Sequence, residues 1–355
     1  MLSVVLCLIF FLAAGCGGGQ ATPEDSLNEG EACLACHADA TAVFSASAHG
    51  RNGLSCAACH AGVEEHLRDR QHRPDTDWRG KNCASCHEKQ YSEWQASPHS
   101  QIPLEQFPND PRIGECMKCH QARGFAAVVA GGGNFKETWG PPPRSEPEAV
   151  TCAACHSPHG KTEERLLRLP KAELCATCHG SKWQNLVLSG SGGNQYAGVD
   201  WFSFGEHPHN SGNRCVTCHM ARTAGAVSSG GHTFRMRAGS EEKQNTAACQ
   251  SCHGETASYD IFGRQKEVAA LLDELRLLLE QHNNGRLPGF QPGACNQCHR
   301  GGMQPFEHDP ELILGKAYEN YLLVERDKSL GIHNPPYVLQ LLRSTITNVR
   351  EEYRR

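Results

Sequence analysis

The chain has 355 residues, of which 39% are hydrophobic and 21% charged, with a formal net charge of −5 when histidines are neutral. Mean hydropathy is −0.51, thin for a protein core of this size, and the acidic balance excludes the basic footprint of a nucleic-acid binder. The outliers are twenty cysteines and twenty histidines.

Residues 1–15 form an apolar run of signal-peptide length, too short to span a bilayer as a permanent helix, and predict export. The end of this run, Leu12-Ala13-Ala14-Gly15-Cys16, resembles the lipobox of bacterial lipoproteins, in which the cysteine is lipidated and becomes the mature N-terminus. The box has Ala13 where Leu is commoner, and no Lys or Arg precedes it, so an ordinary cleaved signal peptide is the competing reading. Cys7 is removed in either case. Gly17 in place of Asp favours the outer membrane in the lipoprotein sorting rule, and residues 16–30 read as a flexible tether. No later stretch has the apolar length of a transmembrane helix.

From residue 33 onward the pattern Cys-x-x-Cys-His recurs nine times. The first four motifs are Cys33, Cys36 and His37; Cys56, Cys59 and His60; Cys83, Cys86 and His87; and Cys116, Cys119 and His120. The other five are Cys152, Cys155 and His156; Cys175, Cys178 and His179; Cys215, Cys218 and His219; Cys249, Cys252 and His253; and Cys295, Cys298 and His299. Two thiols three residues apart on one turn reach the two vinyl groups of a haem, and the adjacent imidazole then meets the iron as its proximal ligand. Zinc knuckles or a disulfide framework also pair cysteines, but neither requires a histidine immediately after every pair. Nine haems c are therefore expected. Such attachment is completed outside the cytoplasmic membrane, which agrees with the export signal. The expected address is the periplasm or an outer-membrane lipoprotein held by a lipid anchor.

One haem per roughly 38 residues places each macrocycle close to another. The expected fold is mainly α with extensive irregular loops, wrapped on a chain of haems that supplies the missing core, with long helices at the C-terminus. An apoprotein of this composition is not expected to fold stably. Each haem also adds propionates, so the holoprotein is more acidic than the sequence unless Lys and Arg pair with them.

Eleven histidines lie outside the motifs. His49 follows His37, and His99 follows His87, at the same distance and in similar settings, Ser-Ala-Ser-Ala-His-Gly and Gln-Ala-Ser-Pro-His-Ser, an internal repeat that returns a ligand to its own or a neighbouring haem. His159, three residues after His156, points away from that haem's own iron and is expected on a different one. His207 and His209 flank Pro208, and one of them is expected as a ligand. His232 and His333 complete the distal candidates, since imidazole is the usual second ligand of a low-spin haem. His66, His72, His282 and His308 read as solvated, with His72 beside Arg70 and Arg73 also suited to a propionate.

The Gly/Pro-rich stretch 131–147 divides a four-haem region, 31–130, from a five-haem region, 148–310, ahead of C-terminal helices in 311–355. Val268, Leu271, Leu272, Leu275, Leu278 and Leu279 keep helical spacing until Asn283-Asn284-Gly285. A second helix is predicted over Leu312–Val324. Asn334 then caps a third with Pro335 at its first position and Leu339, Leu342, Ile346 and Val349 on one face. These faces pack on each other and on the last haems, or make a homodimer.

Cys215-Val-Thr-Cys-His-Met220, His232-Thr-Phe and Ser329-Leu-Gly-Ile-His-Asn-Pro-Pro336 resemble the multihaem superfamily of pentahaem nitrite reductase, octahaem hydroxylamine oxidoreductase and tetrathionate reductase. Cys-His-Ser-Pro-His-Gly at 155–160 resembles the doubled motifs of decahaem conduits. The resemblance implies distal ligation by His232 and His333, and a dimer built on long C-terminal helices. It also implies, as one reading, reduction or oxidation of a small nitrogen or sulfur oxyanion at a five-coordinate haem, with Arg222, Arg235 and Arg237 as the place to look for an anion site, unless they pair with propionates. The chain has no Cys-x-x-Cys-Lys, the form in which those nitrite reductases commonly ligate the catalytic haem. The favoured reading is an electron relay with no catalytic residue, joining redox proteins such as a quinol-linked cytochrome, a terminal reductase or an outer-membrane conduit. Assembly into a filament of stacked haems is a third reading.

Overall fold

The computed structural model describes residues 32–101, 113–131, 149–160, 164–179, 183–211, 214–222, 229–238, 243–283, 285, 287 and 312–354. The expected signal peptide, Cys16, the tether and the loop after Gly131 lie outside the described residues, as does the side chain of Cys116. So does the whole ninth motif: Cys295 and Cys298, the expected thioether residues, and His299, the expected proximal ligand, together with His308. The chain divides into two compact units, one ending at Thr76 and one beginning at Asp77. That division falls earlier than the stretch 131–147 at which the sequence suggests a boundary.

The fold is mainly helical, as expected, with short helices and irregular connections through the motif-rich part and three long helices near the C-terminus. The sheet among the described residues is a two-residue antiparallel pair, Arg237–Ala238 with Lys243–Gln244. No helix among them is long and apolar enough to cross a membrane.

The internal repeat is a repeat of local structure. Helix Ala38–Ser45 in the first unit and helix Glu88–Gln95 in the second each start directly after a motif histidine and carry an acidic residue in the first turn. Each stops at an alanine, and a serine then caps a short turn that carries the returning histidine. Ser47 Oγ accepts from Gly50 N ahead of Ala48–Arg51, and Ser97 Oγ accepts from His99 N ahead of Pro98–Ser100.

The long helices form where apolar spacing and caps predict them. Helix Arg264–His282 closes at Asn283 and buries Val268, Leu275 and Leu279. Helix Ile313–Asp327 ends at Lys328, whose φ of 60° turns the chain out of the helix. Asn334 caps Pro335–Glu352 by accepting from Tyr337 N, with Pro335 in the first turn, where its missing N–H costs nothing. Leu339, Leu342, Ile346 and Val349 pack within the chain, against the other two helices and Trp183, Val187 and Trp201. The wholly buried amide of Asn320 donates to Thr345 Oγ1 and Asn194 O and accepts from Asn194 N, so its polar atoms are met.

Candidate functional site

The motifs share one local device. The histidine N–H reaches back to the carbonyl of the first cysteine, at 2.8 Å in His37 and His87 and 2.9 Å in His60 and His156. In the helices Ile113–His120, Lys171–His179, Arg214–His219 and Ala247–His253 the motif is itself the last turn. Helical pitch thus sets both thiols on one side of a turn with the imidazole directly after them, as thioether attachment requires.

The second thiol of each motif is not equally shielded by protein. Cys36, Cys59, Cys86 and Cys252 are exposed, whereas Cys119, Cys155, Cys178 and Cys218 are half-buried. Spacing within the motif is the same in all eight, so this difference comes from the surrounding chain and could not be read from the motif itself. Where the thiol is exposed, the polypeptide leaves a face that an attached porphyrin would cover.

Five motif histidines face a histidine from elsewhere in the chain. Ring centroids are 6.2 Å apart for His37 and His66, 6.2 Å for His99 and His179, and 6.3 Å for His156 and His232. The remaining pairs are His209 with His253 at 6.3 Å and His219 with His333 at 6.4 Å. A centroid lies about 1 Å from its own ring nitrogen, so two metal–imidazole bonds of about 2 Å laid end to end set the centroids about 6 Å apart. The spacing fits one iron between each pair. Distance alone does not single these pairs out, since His232 lies 6.2 Å from Phe234 and His253 6.2 Å from Phe262; what does is that each joins a motif imidazole to a second imidazole.

Hydrogen bonds fix the tautomers. Nδ1 contacts a backbone carbonyl in His66 (His72 O, 2.6 Å), His156 (Arg165 O, 2.9 Å), His209 (Ile332 O, 2.7 Å) and His219 (Phe234 O, 3.1 Å). A carbonyl can only accept, so each ring carries its proton on Nδ1 and keeps the Nε2 lone pair for a metal. His60 does the same with Asp75 O at 3.1 Å. His333 instead meets the buried carboxylate of Asp327, Nδ1 to Oδ1 at 2.6 Å. Burial works against a charged His333, but the bond to Asp327 and its charge outweigh burial and raise the ring's pKa.

One placement differs from the sequence-based expectation, and the others choose among the alternatives it left open. His66, expected to be solvated, faces His37 across the first unit, and only tertiary pairing reveals it. His99 faces His179 rather than its own repeat's motif histidine. His49 holds the matching place in the first repeat, and His159 sits in the turn after the motif at Cys152. Of the pair flanking Pro208, His209 faces a motif histidine, while His207 packs edge-on against His209.

Motifs distant in sequence meet within the second unit. The sulfurs of Cys83 and Cys152 are neighbours, and so are those of Cys175 and Cys215. Gly80, at φ 77°, opens the helix of the Cys83 motif, and a Cβ there would meet Cys152 Sγ at 3.1 Å. Cys155 and Cys178 pack on one small cluster with Ala154 and Leu174. Helix Lys171–His179 packs on Arg214–His219, which packs on Ala247–His253. The motifs at Cys83, Cys152, Cys175, Cys215 and Cys249 therefore stand side by side in that order.

Arg222 is committed elsewhere than to an anion site. It donates twice to Glu93, at 2.6 and 2.7 Å, and His232 N donates to the same carboxylate at 3.0 Å. Burial raises the Glu93 carboxyl, but these bonds and the Arg222 charge hold it below its ordinary pKa. His232 Nδ1 is buried 3.6 Å from Glu93 Oε2 and makes no hydrogen bond. Arg237 lies over the Tyr259 ring at 5.9 Å.

Two protein families match parts of the chain: "Cytochrome c7 and related cytochrome c" over residues 42–121, and "Doubled CXXCH motif" over residues 145–184. No curated protein matches. Among solved structures, outer cell wall cytochrome OcwA is similar at 20% identity and a TM-score of 0.59, over 84% of this chain and 70% of that one. The undecaheme cytochrome from the S-layer of Carboxydothermus ferrireducens is similar at 18% identity and a TM-score of 0.50, over 84% of this chain and 50% of that one. The chain thus spans half the length of the second, and at these identities the likeness is one of fold.

Proposed function

Because the chain is a multihaem c-type cytochrome, we propose that it relays electrons outside the cytoplasmic membrane along nine covalently held haems whose irons take histidine on both faces. The observation that supports this most is the set of facing histidines 6.2 to 6.4 Å apart, each pair joining a motif histidine to one from outside the motifs. Haem supplies the one-electron iron couple. The chain's residues supply attachment through paired cysteines, neutral imidazoles with Nε2 turned to the metal, and close approach of one motif to the next. His66, His99, His232, His209 and His333 would hold, on the distal side, the haems of His37, His179, His156, His253 and His219. His49 and His159 are proposed as distal ligands of further haems. The ninth motif, with Cys295, Cys298 and His299, completes the count.

Haems held on the motifs at Cys83, Cys152, Cys175, Cys215 and Cys249 would stand in that order and supply a path for electrons through the second unit. Its ends exchange them with redox proteins, a quinol-linked cytochrome on one side and a terminal reductase, outer-membrane conduit or external acceptor on the other. The apolar run at residues 1–15 and the lipobox-like end at Cys16 support an exported, lipid-anchored protein. The solved relatives, named for an outer cell wall and an S-layer, also lie outside the membrane. A homodimer would use surfaces other than the face of Leu339, Leu342, Ile346 and Val349, which is buried within the chain.

Electron paramagnetic resonance of the oxidised holoprotein, with haem counted by pyridine haemochrome, tests the proposal. Nine low-spin haems are expected. The ring planes of His99 and His179 cross at 75°, and those of His209 and His253 at 79°. The angles are 32° for His37 and His66, 40° for His156 and His232, and 25° for His219 and His333. Crossed rings leave the two iron π orbitals nearly degenerate, so the first two sites give strongly anisotropic low-spin signals and the other three rhombic ones. A stoichiometric high-spin signal that moves on adding nitrite, hydroxylamine or tetrathionate would overturn the relay in favour of an enzyme with an open iron.

A further inference from the structure

We propose that Asp327 is a positioning residue that lowers the reduction potential of the haem held between His219 and His333, making that site the one of lowest potential among the five facing pairs. The inference rests on the reading that those two histidines share an iron.

Four ligand histidines of the five pairs, His66, His156, His209 and His219, donate Nδ1–H to a backbone carbonyl, a neutral dipole. His333 instead hydrogen-bonds a carboxylate, whose side chain is fully shielded from solvent. A carboxylate acceptor draws the Nδ1 proton away, gives the ring imidazolate character and makes Nε2 a stronger donor. A stronger donor with a buried negative charge behind it favours ferric over ferrous iron. Another carboxylate near a proposed ligand, Glu93, differs in kind. Its charge is met by two bonds from Arg222, and its oxygen stands 3.6 Å from His232 Nδ1 without a hydrogen bond. Among the described residues, the ion-pair partner of Asp327 is His333 itself.

The backbone is bent to make this contact. Between Asp327 and His333 the chain takes positive φ at Lys328 (60°), Leu330 (52°) and Gly331 (84°), and the two non-glycine residues are strained by it. Ser329, inside this turn, donates its hydroxyl to Asp327 Oδ2 and receives His333 N at 3.4 Å. Gln184 Nε2 donates to Asp327 O at 3.3 Å, which ties the turn to the helix Trp183–Leu188. The carboxylate is therefore fixed on both sides, one oxygen for the serine and the other for the ligand.

Spectroelectrochemical titration of the holoprotein separates this role from a merely structural one. In Asp327→Asn, one component at the low-potential end is expected to move upward by at least tenfold in its reduction equilibrium, about 59 mV for a one-electron couple, with the haem count and low-spin signals unchanged. An unmoved titration with all haems present overturns the proposal. Ser329→Ala leaves the carboxylate and removes the bond that draws charge from it, so the same component is expected to move downward. If Asp327→Asn loses haem, the serine variant decides, and an upward shift or none overturns the proposal. His333→Ala tests the underlying reading separately. A new high-spin haem upholds shared ligation, and its absence removes that reading and the proposal together.

Discussion

Residues 32–76 and the three C-terminal helices exclude water by different means. In the first unit Ser47 is the one residue buried among those described, and Leu34, Val43, Leu54 and Leu67 are all at least 36% exposed. The helices over 264–352 bury Leu275, Leu279, Leu323, Leu341 and Leu342 completely. One chain thus holds a region whose apolar interior is made of side chains and another whose interior must come from attached porphyrin. The thiols agree with this, since Cys36 and Cys59 of the first unit are both exposed. The low hydropathy of the whole sequence averages over these two regions.

The sharpest way to break the comparison is to withhold haem. Limited proteolysis of protein made without haem attachment is expected to cut within 32–76 before it cuts within the helices Arg264–His282, Ile313–Asp327 and Pro335–Glu352; equal resistance would show that the first unit has a core of its own. Leu342→Ala comes next, removing a fully buried side chain from the helical core at a cost of about 2–5 kcal/mol in denaturant unfolding. A smaller helical effect is expected at Asn334, which caps the last helix and donates to Leu188 O and Phe204 O. Asn334→Ala should cost about 1–3 kcal/mol in thermal unfolding, one lost cap plus buried carbonyls left unmet.

The same contrast explains what could be read from the sequence. The last helix was legible because its signals are local: Asn334 before Pro335, then Leu339, Leu342, Ile346 and Val349 on one face. Motif turns were legible for the same reason, and so was the repeat that returns His49 and His99, though not the serine caps that shape it. Which iron a returning histidine serves is a tertiary fact. His99 meets His179 because two distant helices pack, and nothing in Ser-Pro-His-Ser records it. His66 gives no local signal, because it lies inside a polar helix, Val63–Arg68, whose neighbours supply no repeat context. Glu93 and Asp327 look like ordinary surface acids in sequence, and only burial marks them as partners of His232 and His333.

The facing histidines also carry a mechanical consequence. The spans 99–179 and 156–232 overlap, the second overlaps 209–253 and 219–333, and 209–253 overlaps 219–333. With an iron closing each span, these become interleaved cross-links that lower the entropy of the unfolded chain as disulfides do. A segment inside one loop is also a segment of the next, so no loop opens without loading its neighbour. Unfolding of the second unit would then be gated by ligand exchange at iron, and a change of spin state would precede any loss of helix.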